Sequence, residues 1–277
     1  MLLLQSVQKY TNPIIIMVKL KNYPMENKIF VLLLTLLSLV ACNQQKYFVE
    51  KIEGKKIGIQ KNLVANAAVE SFVKPYREHI DADLNTVLAF CPENLDKSVG
   101  KWQTNVGNFL ADITFKKANA VFEKREHKSI DFCLLNQGGI RAIIPKGNLT
   151  ARNAFEVQPF ENAAVVIALK GEQIVEFANY FVQGKKPHPL SGISFEITKD
   201  NRAQNILIQG KTIDNDKIYY VLTNDYLANG GDNMEFFKKG TASFDLDYKL
   251  RNIIIDYFKD VDTLQVNKDI RIKELGL

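Results

Sequence analysis

Four short segments hold the side chains and glycines that could bind a ligand, and each also has a plain structural reading. The first is Asn136-Gln137-Gly138-Gly139-Ile140-Arg141. Paired glycines let a backbone turn tightly or approach a ligand closely. Arg141 can face the same space as Asn136, and a planar guanidinium holds a phosphate by two parallel hydrogen bonds. The plain alternative is a glycine turn with a surface arginine. The second segment is Gln158-Pro159-Phe160-Glu161-Asn162. Pro159 restricts Gln158 to extended backbone. Phe160 can offer a ring face, and the Asn162 amide can both donate and accept. The alternative makes Phe160 core and Asn162 a turn cap.

The third segment, Asn224-Asp225-Tyr226-Leu227-Ala228-Asn229-Gly230-Gly231-Asp232, reads as a loop after a strand. Gly230 and Gly231 can take positive φ. Asp232 is placed either to cap a helix near Met234 to Phe237 or to accept hydrogen bonds from two vicinal hydroxyls. Tyr226 supplies a second ring. The fourth segment, Thr104 to Asp112, opens a helix, whose free N–H groups favour anions. Capping and close packing at Gly107 is the preferred reading there.

These segments need a scaffold to hold them. Apolar spacing predicts a helix over 64–80 with Pro75 expected to kink or end it, then further helices over 104–117 and 173–182 and a long one over 246–258. Thr150 is a good N-cap for a short helix through Phe155. Strands are expected at 130–135, 163–169, 193–197, 205–208 and 217–222, with a closing strand near 269–272. A small hairpin is expected around Glu53-Gly54-Lys55, within 47–60. Helices and strands mix without βαβ alternation, which favours an α+β fold over a doubly wound sheet.

The chain has 277 residues, 46% hydrophobic and 24% charged, with a formal net charge of +5. The first 41 residues hold four lysines and one glutamate, so the remainder carries about +2. That is too near neutral to favour a nucleic-acid binder. Residues 1–41 read as a signal peptide: Ile29 to Val40 is apolar, follows Lys28, and is shorter than the ~20 residues of a spanning helix. Met25 or Met17 is a plausible alternative start. Leu39-Val40-Ala41-Cys42 resembles the lipobox of bacterial lipoproteins, which implies lipidation of Cys42 and a location at the bacterial cell envelope, on the outer membrane or periplasmic face. Residues 42–63 then form a tether and hairpin, and 64–277 a single domain. Cys133 lies in an apolar stretch and reads as a buried small hydrophobe rather than a disulfide partner of Cys91.

Taken in order, Asn105-Val106-Gly107-Asn108, Asn136-Gln137-Gly138-Gly139-Ile140-Arg141, Ile144 to Thr150, Pro159-Phe160-Glu161-Asn162 and Leu227-Ala228-Asn229-Gly230-Gly231-Asp232 resemble the C-terminal domain of the 5′-nucleotidase family. The resemblance implies a layered α/β/β/α mixed-sheet architecture. It implies a nucleotide base between the rings of Phe160 and Tyr226, ribose hydroxyls on Asp232, and phosphate on Arg141. Asn136 and Asn162 match positions that contact base or sugar, and Asn229 and Gly231 belong to the same loop motif. Family members commonly have Phe where Tyr226 stands, and many have an arginine near the position where Lys101 would serve as a point charge. The family's hydrolysis uses two divalent metals in an N-terminal domain. His79, His127 and His188 lie in no metal-binding motif, and about 22 residues separate Cys42 from Val64. The expectation is therefore no catalytic residue, metal or cofactor in this chain, with two metals supplied by an exported metallophosphatase subunit. The alternative is a lipoprotein that binds nucleotides or nucleosides without cleaving them.

Overall fold

The computed structural model describes residues 24–40, 49, 51–56, 58 and 63–275. It divides into two compact units, Met1–Val64 and Ala65–Leu277. In the first, helix α1 (Met25–Val40) has 16 residues and spans about 24 Å at the usual helical rise. Among the described residues no helix is long and apolar enough to cross a membrane. Cys42 lies outside the described residues. Six of the fourteen residues of the expected hairpin do too, and those that are described, 49, 51–56 and 58, form no strand.

The second unit is α+β, as the sequence predicts. Its elements are α2 (Ala67–Asn85), β1 (Val87–Cys91), α3 (Asn105–Glu126), β2 (Phe132–Leu134), β3 (Gly147–Thr150), α4 (Ala151–Val157), β4 (Ala163–Lys170), α5 (Gly171–Gly184), β5 (Leu190–Ser191), β6 (Ile193–Ile197), β7 (Ala203–Ile208), β8 (Lys211–Thr212), β9 (Ile218–Asn224), α6 (Asp225–Ala228), β10 (Ala242–Lys249), α7 (Leu250–Asp260) and β11 (Ile272–Glu274). A mixed five-stranded sheet runs β10-β4-β9-β2-β5, and a four-stranded sheet runs β11-β6-β7-β8. β1 and β3 pair on their own.

The central strands are apolar at almost every position because both faces are covered. In β4, Val165, Ile167 and Leu169 join a core with Phe177 and Phe181 of α5 and with β6 and β7. The alternate residues Ala164 and Val166 join a core with Phe122 of α3 and Ile253 of α7. In β9, Tyr219 and Val221 face α5, and Leu222 faces α3. The period of two along a strand produces this division. A third core places Val106, Phe109 and Ile113 of α3 against β1, β3, α4 and α7.

Several boundaries depart from expectation. The helix expected over 246–258 divides: Leu246 to Lys249 extend β10, which pairs with β4, and α7 starts only at Leu250. α3 runs nine residues past Lys117 to Glu126, because Ala118 and Phe122 continue its buried face. α2 passes through Pro75. The carbonyl that the missing N–H leaves free belongs to exposed Ser71, where water can satisfy it. The capping expected at Thr150 is present, with its N–H donating to Asn153 Oδ1 at 2.9 Å. Cys91 and Cys133 are both buried and unpaired with each other.

Candidate functional site

Topology brings three of the sequence segments to one end of the five-stranded sheet. β2 and β9 run parallel, with Phe132 beside Val221 and Cys133 beside Leu222. β4 runs antiparallel to β9, with Ala164 opposite Asn224. The ends of β2 and β9 and the start of β4 therefore meet. Asn136 follows β2, Asn162 immediately precedes β4, and Asn224 closes β9.

The three segments are tied directly. Asn224 Nδ2 donates to Asn136 Oδ1 at 3.0 Å, and its own Oδ1 accepts the Leu227 N–H at 2.8 Å, capping α6. Asn162 Nδ2 donates to Asp225 Oδ1 at 2.7 Å. Each asparagine amide offers both donor and acceptor, so these bonds link loops without burying an unpaired polar atom. In the turn after Asn136, a Cβ at Gly139 would lie 3.0 Å from Asn136 Oδ1, a tight contact that the Asn136 side chain would have to relieve by moving.

Between these loops lies a cavity of about 320 Å³ lined by Asn136, Gly138, Gly139, Phe160, Asn162, Tyr226 and Asp232. Its size and mixed lining suit a small polar ligand with an apolar face. Phe160 and Tyr226 are 43% and 46% exposed, each presenting ring surface to the cavity. Arg141 stands at the rim: its guanidinium carbon is 5.7 Å from the Phe160 ring centroid and Nη1 donates to the Gly138 carbonyl at 3.3 Å.

The rest of the expected set lies elsewhere. Asn229 does not line this cavity; its Nδ2 donates to the Asp225 carbonyl at 2.7 Å and braces α6. Gly231 supports the Tyr226 ring, since a Cβ there would sit 2.5 Å from ring carbon Cε1. Only Gly230 of the glycine pair has positive φ, and Asp232 and Asn233 share that conformation. Asp232 caps no helix; its carboxylate accepts from Tyr226 Oη at 3.0 Å instead. Lys101 is also away from the cavity, bonded to Glu274 at 2.6 Å and set over the Trp102 ring. At the start of α3 the Thr104 hydroxyl accepts the Gly107 N–H at 3.0 Å, so capping is the role seen there.

Three residues that build the site carry no local sequence signal. Arg251 of α7 donates to the carbonyls of Pro159 and Phe160 at 3.3 and 3.4 Å. It also pairs with Glu161, whose carboxyl it holds below the usual range. Buried His188 accepts the Gln137 N–H on Nδ1 at 3.3 Å. Burial brings its pKa down to about 4, with Lys186 acting in the same direction and Asp232 against it. Tyr180 donates its hydroxyl to the Asp232 carbonyl at 2.7 Å, and burial, then the nearby Asp232 carboxylate, pushes its pKa up.

The donors present do not fit a two-metal centre. His79 is exposed beside Asp83, His127 ends α3 in a left-handed conformation, and His188 is enclosed by Tyr180 and Phe181. Among the described residues no group of three or more His, Cys, Asp or Glu is placed to hold a metal.

The chain is similar to a 5′-nucleotidase of Vibrio parahaemolyticus, 24% identical over 83% of this chain and 40% of that protein. It is 25% identical to protein UshA of Escherichia coli over 61% of this chain and 30% of that one. A solved structure of a 5′-nucleotidase precursor from Thermus thermophilus superposes with a TM-score of 0.62 at 26% identity, covering 76% of this chain and 43% of the other. The chain thus spans about two fifths of the length of the first of these relatives. Residues 86–239, which include every residue lining the cavity, match the 5′-nucleotidase C-terminal domain family, and the chain belongs to that family.

Proposed function

We propose that this chain recognises a nucleotide in the cavity between Phe160 and Tyr226, as the recognition half of a 5′-nucleotidase. The base stacks between the two rings, Asp232 accepts from the ribose, Asn136 and Asn162 meet base or sugar edges, and Arg141 at the rim holds phosphate. The observation that carries this reading is the convergence of two half-exposed rings, two amides and a carboxylate on one cavity. Stacking tolerates any base because every base has a π face.

Hydrolysis of the phosphoester falls to two divalent metals on a separate, exported metallophosphatase chain that docks on this one. Metals of that kind polarise phosphate oxygens and activate water. Lipidation of Cys42 holds the assembly at the bacterial cell envelope.

Calorimetry on the protein from Asn43 onward tests the binding half of the proposal. A 5′-mononucleotide should bind equally well with and without a chelator. Phe160→Ala should weaken that binding about ten- to a hundredfold, the usual worth of one stacked base. Adding the co-expressed metallophosphatase should restore hydrolysis. Robust metal-dependent hydrolysis by this chain alone would overturn the division of labour, and equal binding by wild type and Phe160→Ala would overturn the site.

A further inference from the structure

Helix α2 has 19 residues, and not one of them is buried. Asn66 caps its start, accepting the Ala68 and Val69 N–H groups on Oδ1. Its C-terminal end is fastened to α4, where Arg152 donates to Asp81 Oδ1 at 2.7 Å and to Asn85 Oδ1 at 2.9 Å. Between these ends Val69, Phe72, Tyr76 and Ile80 follow one another at steps of three or four residues, which puts them on one face of the helix. All four are exposed, Phe72 by 70% and Tyr76 by 61%, and the two rings lie 5.8 Å apart. Helices in proteins draw most of their stability from packing such a face. This one lacks its cover.

The charges decide what fits it. Glu70, Glu78, Asp81 and Asp83 outnumber Lys74 and Arg77, which opposes an anionic membrane surface. The face is instead complementary to itself. Glu70 and Arg77 lie on one flank of it, seven residues apart, and pair within the helix at 3.0 Å. When two copies of α2 meet antiparallel about a two-fold axis near Lys74, Phe72 of each faces Tyr76 of the other. Val69 then faces Ile80, and Glu70 faces Arg77. Every contact occurs twice, as an isologous interface requires. A parallel pair brings neither charge opposite the other. We propose that this face of α2 is a self-association surface, on which a second copy of the chain lays its own α2 antiparallel. None of these residues lines the nucleotide cavity, so the inference stands apart from the proposed ligand.

Sedimentation equilibrium on the protein from Asn43 onward, which keeps the whole second unit, tests this between about 1 and 300 µM. Two helices of this length bury less than the ~1,600 Å² of a standard interface, so wild type should be half dimeric at roughly 10–100 µM. Phe72→Glu should stay monomeric throughout. It should also fold, since no residue of α2 is buried, and circular dichroism checks that. Glu70→Arg sets like charges together at two places in the pair and should weaken the dimer about tenfold. The swap Glu70→Arg with Arg77→Glu should bring it back to within about threefold of wild type. A wild type that is monomeric throughout overturns the proposal, as does a dimer indifferent to Phe72→Glu or to Glu70→Arg. A monomeric wild type that the co-expressed metallophosphatase, or vesicles of zwitterionic lipid, capture through Phe72 gives the face to that occupant and overturns it too.

Discussion

His188 is 3% exposed, and its ring neighbours are Tyr180 and Phe181. Burial lowers its pKa from the ordinary 6.5 to about 4, while Asp232 opposes that change and Lys186 adds to it. Above about pH 6.5 the imidazole is neutral both folded and unfolded, so it adds no pH dependence. Between about 6.5 and 4 the unfolded chain takes up a proton that the folded pocket refuses. Stability therefore falls with falling pH across that window, at up to about 1.4 kcal/mol per unit. Below about 4 the folded site protonates as well and the dependence levels off. His188→Phe should flatten this segment of a plot of urea midpoint against pH, and parallel plots for the two proteins would refute the assignment. Phe160, Tyr226 and Asp232 are legible in the sequence because each sits in a short segment just outside a strand, although Tyr226, read there as loop, lies in α6. His188 is not, because its partner, the Gln137 N–H, lies 51 residues away. Asn229 and Lys101 are legible only as residue types, and tertiary contacts decide where their side chains point.

Among the elements, α7 bears most on the site. Arg251 reaches from it to the segment that carries Phe160, and its guanidinium also lies 4.1 Å from the Phe155 ring centroid. Arg251→Ala should lower stability by about 2 kcal/mol, through lost charge-assisted hydrogen bonds to two carbonyls. It should also weaken nucleotide binding by loosening Phe160. Denaturation and calorimetry on the same variant check both effects, and retention of both would show that Pro159 to Glu161 hold themselves. The sequence conceals this role because Leu246 to Phe258 has helical spacing throughout. Its first four residues are drawn into β10 by pairing with β4, and Lys249 lies opposite Ala163 at the start of that strand. Edge pairing overrides local periodicity here. Conversely, β6 matches its expected bounds because strict alternation of buried and half-buried residues from Ile193 to Ile197 leaves no other period.

In the whole domain, contacts distant in sequence hold the layers together. Asp112 of α3 accepts from Ser191 of β5 at 2.6 Å and from Arg271, beside β11, at 2.6 Å. Arg271 also donates to the Leu190 and Asn108 carbonyls. Removing one partner of such a pair leaves an uncompensated charge, so Asp112→Ala should cost about 3 kcal/mol. A urea midpoint within error of wild type would refute this. The α+β class could be read from the order of elements, but the pairings between distant segments could not. Strands as short as β5 and β8, of two residues each, have too few residues to show a period and become strands only through their partners.

The single tryptophan, Trp102, is buried in the same core as α5, and its indole N–H donates to Glu274 of β11 at 3.3 Å. Tyr226, by contrast, faces the open cavity. Indole emission will therefore follow the seating of β11 while ignoring what enters the cavity. The one indole thus reports unfolding separately from ligand capture without any added label.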